Sequence, residues 1–176
     1  TGLYAIPVLP GSKKLRSWGG LKILVVALVW AGATVVLPVL NEESVTRWDV
    51  FIETFQKFLF VLILLIPFEI RDLSYDDPEL KTLPQRFGVA RTKILGAFAT
   101  LPFFFVVFLK DKLEIADVIS TGVLFLCLGV LMFVTKRNQG RYFASFWVEG
   151  IPIVWWLLLL LLKTLATPDF EVAASF

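Results

Sequence analysis

Two aspartates four residues apart, Asp72 and Asp76, stand in the segment EIRDLSYDDPELKTLPQRFG between Glu69 and Gly88. On a helix this spacing puts both carboxylates on one face, about one turn apart. Like charges so placed repel, and a divalent cation with a phosphate between them relieves the repulsion. Mg²⁺ suits the arrangement, since it is held by one or two carboxylates, several waters and phosphate oxygens. Asp77 is a third candidate ligand; with Pro78 and Glu79 after it, its alternative role is the N-cap of a short helix. Lys81, Arg86 and Arg91 follow, groups that pair with phosphate oxygens. Acids for a metal beside bases for a phosphate describe a metal–diphosphate site. The plainer alternative is a solvated loop of mixed charge.

The elements that position this segment are apolar. Of the 176 residues, 57% are hydrophobic and 18% charged, and the mean hydropathy is +0.79. Soluble domains are about 45–50% apolar and about 25% charged. The composition excludes a disordered tail, a nucleic-acid-binding module and a disulfide-stapled secreted domain. Cys127 is the one cysteine, and there is no histidine. Acid–base or metal chemistry by histidine is therefore excluded within the chain, and a metal would rest on carboxylates.

A helix crossing a bilayer of about 30 Å needs about 20 apolar residues. Five stretches qualify, near 21–40, 51–70, 92–109, 117–135 and 144–166. They are continuous apolar runs without period-2 alternation, which predicts an all-α, polytopic transmembrane helix bundle rather than a barrel. The transmembrane domain is expected over residues 1–166, with 167–176 a terminal tail. Lys13, Lys14, Arg16 and Lys22 precede the first span. Arg71, Lys81, Arg86, Arg91 and Lys93 lie between the second and third, and Lys136, Arg137 and Arg141 between the fourth and fifth. Twelve of 17 basic residues thus fall on one side, which predicts that side, and the aspartate-rich loop with it, to be cytoplasmic. The expected location is a multi-pass protein of a bacterial inner membrane, its partners including the lipid bilayer and no nucleic acid. Trp18, Trp30, Trp48 and Trp147 are read as interfacial anchors near span ends.

Arg71-Asp72-Leu-Ser-Tyr-Asp76, followed by Lys81-Thr82-Leu83-Pro84 and Gly88, resembles the second aspartate-rich motif of the UbiA superfamily of intramembrane prenyltransferases. Tyr4, Pro7, Pro10, Lys13 and Lys14 are similar to the stretch that links that family's middle helices. The resemblance covers essentially the whole chain, as the C-terminal part of a nine-helix bundle. It implies Mg²⁺ and a prenyl diphosphate held by two aspartate-rich loops. The diphosphate leaves with help from the metal, and the allylic cation alkylates a lipophilic acceptor. It assigns Asp72 and Asp76 to catalysis and metal binding, with Asp77 beside them. Lys81, Arg86, Lys13, Lys14 and Tyr4 are assigned to the substrate. The chain departs from the family pattern in three respects. The first aspartate-rich motif is not in it and is expected upstream of Thr1. Glu69 stands where asparagine is usual, and the spacer before Thr82 is short and lacks glycine. The alternative is a non-catalytic relative with an incomplete metal site, serving as scaffold, subunit or transporter. The CDP-alcohol phosphotransferases, which also use membrane aspartates and Mg²⁺, are set aside because their D-G-x-x-A-R signature does not occur.

Ionisable residues within spans are the remaining candidates. Glu53 and Lys57 are four apart and can pair on one face. That face lines a cavity, or the pair sits near the outer interface with Lys57 snorkelling. Glu149 opens the fifth span, either near the aspartate-rich site or as a carboxylate favoured by the helix dipole. Gly150 and Pro152 predict a local kink. Trp155, Trp156 and Phe103-Phe104-Phe105 either flank an isoprenoid cation or pack against helices and lipid.

Overall fold

The computed structural model describes residues 19–40, 46–77, 80–139 and 143–166. Five helices long and apolar enough to cross a membrane account for nearly all of them: α1 (Gly20–Val39), α2 (Arg47–Asp72), α3 (Leu83–Leu109), α4 (Ile115–Val134) and α5 (Phe146–Leu165). No strand occurs among the described residues. The all-α, multi-span expectation holds. Tyr4, Lys13, Lys14, Trp18 and the tail at 167–176 lie outside the described residues.

Consecutive helices pack side by side, and α2 is the hub, touching α1, α3, α4 and α5. Its buried residues show why. Ile52, Gln56, Phe60, Ile63, Pro67 and Ile70 recur at steps of three and four, one continuous stripe. Phe103 of α3 and Leu124, Leu128 and Met132 of α4 pack on that stripe. Gly96 lets the three helices close together: a Cβ there would come within 2.5 Å of Met132 Sδ and 2.9 Å of Ile66 Cδ1. Around this core the surface is apolar, with Leu28, Phe98, Phe105, Leu126, Val130 and Phe133 all exposed. In water such a surface would aggregate; against lipid tails it is matched.

Polar contacts tie the bundle at both ends. At one, Trp48 Nε1 donates to the Leu109 carbonyl at 2.8 Å, and the Asp111 amide donates to Asp49 Oδ1 at 2.7 Å. Lys163 pairs with Glu114 at 3.1 Å. At the other, Lys93 Nζ donates to the carbonyls of Phe133 (2.8 Å) and Thr135 (2.7 Å). These carbonyls end α4, where no next turn supplies donors. Gln139 Nε2 donates to the Pro67 carbonyl at 3.0 Å, pinning the α4–α5 connection to α2.

One boundary and one anchor differ from expectation. α3 begins at Leu83, nine residues before the apolar run. Pro84 suits a first helical turn, and Gln85 Oε1 accepts the Thr82 amide at 3.0 Å, so capping starts a helix that hydropathy does not mark. Trp30 is not an anchor at a span end: it sits at the middle of α1.

Candidate functional site

The expected site lies where α2 ends. Asp72 is its last residue, and Arg71 grips the carboxylate as a fork, Nε to Oδ1 at 2.7 Å and Nη2 to Oδ2 at 3.2 Å. The chain makes one further turn, because the amides of Tyr75 and Asp76 both donate to the Asp72 carbonyl, at 2.8 and 2.9 Å. That turn keeps the spacing 69, 72, 76 on one helical face. Asp76, Asp72 and Lys22 of α1 all lie close enough to Glu69 to act on it electrostatically. Glu69 is the buried member, 7% exposed. The Leu83 amide that opens α3 donates to its carboxylate, while Oε2 is buried with no hydrogen-bond partner.

The other predicted residues of this segment spread outwards. Asp77 is exposed, and its carbonyl accepts from Gln85 Nε2 (3.1 Å) and the Leu80 amide (3.0 Å). Pro78 and Glu79, needed for its capping role, lie outside the described residues. Lys81 is exposed with φ at +48°, and Arg86 and Arg91 are exposed on α3. Gly88, the glycine that closes the motif, has φ +79° and ψ 158° and breaks α3 into two pieces. That region of backbone space belongs to glycine. The break turns the first part of α3, with Pro84 and Arg86, away from the line of the rest.

Among the described residues, no three or more Asp, Glu, Cys or His side chains form a group able to hold a metal. Asp72, Asp76 and Asp77 are therefore not gathered into one ligand set. The chemistry of the donors does fit Mg²⁺: Asp72 and Asp76 offer hard carboxylate oxygens one turn apart, with a buried, unpartnered oxygen on Glu69 one turn before Asp72. In this arrangement Arg71 occupies both oxygens of Asp72.

Compared with known proteins, the chain matches no family model, no curated protein and no solved structure.

A second polar place lies within the membrane span. A cavity of about 590 Å³ opens between α1, α2 and α5, walled mainly by apolar side chains such as Phe60, Leu64 and Phe68. Lys57 and Glu149 are its only ionisable lining residues among those described. Lys57 does not pair with Glu53: no ion pair within 4.0 Å joins them. Nor does it snorkel. Its Nζ lies 3.9 Å from the centroid of the Trp155 ring and 5.8 Å from that of Phe60. Lys57 is ten residues into α2 and Trp155 nine into α5, which puts the ammonium near mid-span. Of the aromatic residues singled out in the sequence only Trp155 faces a cation, with Phe60 packed on it (5.0 Å) and Phe103 packed on Phe60 (5.9 Å). The cation is the protein's own. Phe104 and Phe105 pack with each other, and Trp156 is exposed.

Glu149 stands where a π-helical stretch, Phe143–Val148, gives way to the α-helix of α5. The α-helix then runs without interruption through Gly150 and Pro152, and the irregular turn lies just before the kink expected from them. Glu149 and Arg71 act on each other electrostatically, so the cavity's Glu149 end approaches the end of α2. Sequence reasoning missed Trp30, Thr34 and Phe68 as cavity residues. The available signal was the series Lys57, Val61, Leu64, Phe68, a helical stripe that carries a charge at one end.

Proposed function

We propose that this chain belongs to a membrane-embedded prenyltransferase of UbiA type, with the end of α2 and start of α3 as its diphosphate-binding face. The observation that carries this reading is the alignment of Glu69, Asp72 and Asp76 on one face, with Glu69 Oε2 buried and unpaired. Beside them lie cations from two helices, Lys22 and Arg71. Asp72 and Asp76 would hold Mg²⁺ together with the phosphate oxygens, and the metal would supply charge neutralisation to a departing diphosphate. Arg71 and the exposed Lys81 and Arg86 would meet the remaining phosphate oxygens. The apolar interior suits an isoprenoid chain whose charged head stays at the wet end. In this reading the aspartate-rich end faces the cytoplasm, and a cysteine placed at Ser74 reacts only from that side.

One observation favours the non-catalytic alternative. Arg71 already satisfies Asp72, so the site as folded resembles a structural ion pair more than an open metal site. The two readings separate in a binding experiment on the full-length protein. The enzyme reading expects farnesyl diphosphate to bind only with Mg²⁺. Asp72→Asn and Asp76→Asn should each weaken binding about tenfold or more, at unchanged folding. Mg²⁺-independent binding, or none, favours the non-catalytic relative.

A further inference from the structure

The mid-span ammonium of Lys57 is not accounted for by anything at the end of α2. Among the described residues it has no carboxylate within 4.0 Å; Glu53 and Lys110 act on it only electrostatically, and the faces of Trp155 and Phe60 lie against it. A ring face attracts a cation but accepts no conventional hydrogen bond from its N–H groups. The Trp155 indole N–H at the same place is buried and also has no acceptor. Two donors without acceptors therefore meet beside an apolar cavity. In a membrane interior no water replaces the missing partner at low cost.

We infer that the cavity between α1, α2 and α5 binds a lipophilic monoanion whose carboxylate pairs with Lys57. The size fits, since about 590 Å³ lies within the range of small-molecule sites. The length fits too. Lys57 and Phe68 are eleven residues apart on α2, a rise of about 16 Å for an apolar body to lie along. Charge sets the number and the direction. Lys57 is the only cation lining the cavity among the described residues, so a single negative charge makes a neutral pair, whereas a diphosphate would bring uncompensated charge to mid-span. Glu149 at the opposite end repels an anionic head, so the carboxylate sits at Lys57 and the chain points toward Phe68 and Pro152. Glu53, one turn away, is exposed and does not fill the place. This inference does not depend on the prenyl-transfer reading.

Trp30 lines the cavity and Trp155 abuts Lys57, so a ligand with a brominated tail quenches tryptophan emission when it enters. The full-length protein in detergent is titrated with dibromostearate and, separately, with dibromostearyl alcohol. The expected result is saturable quenching by the acid that weakens about tenfold in Lys57→Met and is retained in Lys57→Arg, with the alcohol indifferent to both changes. Methionine suits an apolar span, and circular dichroism verifies its fold. Equal binding of the acid by wild type and Lys57→Met overturns the inference. So does quenching that never saturates, or an alcohol that binds as the acid does.

Discussion

Gly96 offers the sharpest test of the packing at the hub. It lies in α3, is buried, and is reached by both Ile66 of α2 and Met132 of α4. An added methyl group would meet Met132 Sδ at 2.5 Å and Ile66 Cδ1 at 2.9 Å, both well inside normal contact. Met132 is itself 1% exposed and has little room to withdraw. Overpacking of this kind costs about 1–3 kcal/mol. Alanine recovers up to about 1 kcal/mol through its better helix propensity, so the net loss for Gly96→Ala is about 0–2 kcal/mol. Gly129 in α4 is the internal control, because a Cβ there meets nothing within 4 Å. Gly129→Ala should gain about 0.5–1 kcal/mol. The two substitutions, chemically identical, are expected to differ by about 1–3 kcal/mol. Titration with dodecyl sulfate in mixed micelles, followed by circular dichroism, reads the difference. Adding Met132→Ala to Gly96→Ala should give a favourable coupling of at least about 0.5 kcal/mol, since the atom in the way is gone. If Gly96→Ala and Gly129→Ala are equally stable, the close approach of α2, α3 and α4 at this level is wrong.

Gly88→Ala should destabilise by about 1–3 kcal/mol, because its φ and ψ lie where only glycine rests; the same unfolding titration checks it. Lys93→Met removes both donors at the end of α4 and should cost about 1–3 kcal/mol, with hydrogen exchange rising first at residues 131–135. Lys57→Met should leave stability unchanged or raise it. An ammonium at mid-span costs about 2.5–3.5 kcal/mol and its ring contacts return about 2 kcal/mol, so a large loss of stability would contradict the surroundings described for Lys57.

The spans were legible because hydropathy is a bulk property, and runs such as IVWWLLLLLL have one physical solution in a bilayer. The start of α3 was not, because it depends on Pro84 and a single Gln85 side chain rather than on apolar content. Asp72 and Asp76 were legible as neighbours through their spacing alone. Their partner Glu69 carried the more telling state, a buried oxygen without a donor. Burial depends on how α1 and α3 cover the end of α2, and no local pattern encodes that. Lys57 shows the same limit. Its spacing to Glu53 is ideal for an ion pair, but the aromatic faces that receive it come from α5, almost a hundred residues away. Trp30 failed as an anchor for a related reason: a tryptophan marks an interface only when its position in the helix puts it there.

Two departures from regular helix border the cavity. The α1 wall carries a π-helical stretch, Gly32–Val36, and Thr34 within it donates back to the Trp30 carbonyl at 2.8 Å. The α5 wall begins with another, Phe143–Val148, and bears Pro152 one turn later. Wide helical turns of this kind are uncommon and are found often at functional sites. Each of the two contributes a lining residue, Thr34 and Val148, to the same cavity. A third departure is the charge itself, a lysine beside the buried Gln56 at the head of the apolar run 58–68 of α2. A cavity that served packing alone would be better filled by the regular helices and leucines that make up the remainder of α5. Irregular walls and an ammonium without a carboxylate partner each carry a cost, and an anionic occupant beside Lys57 would offset the second.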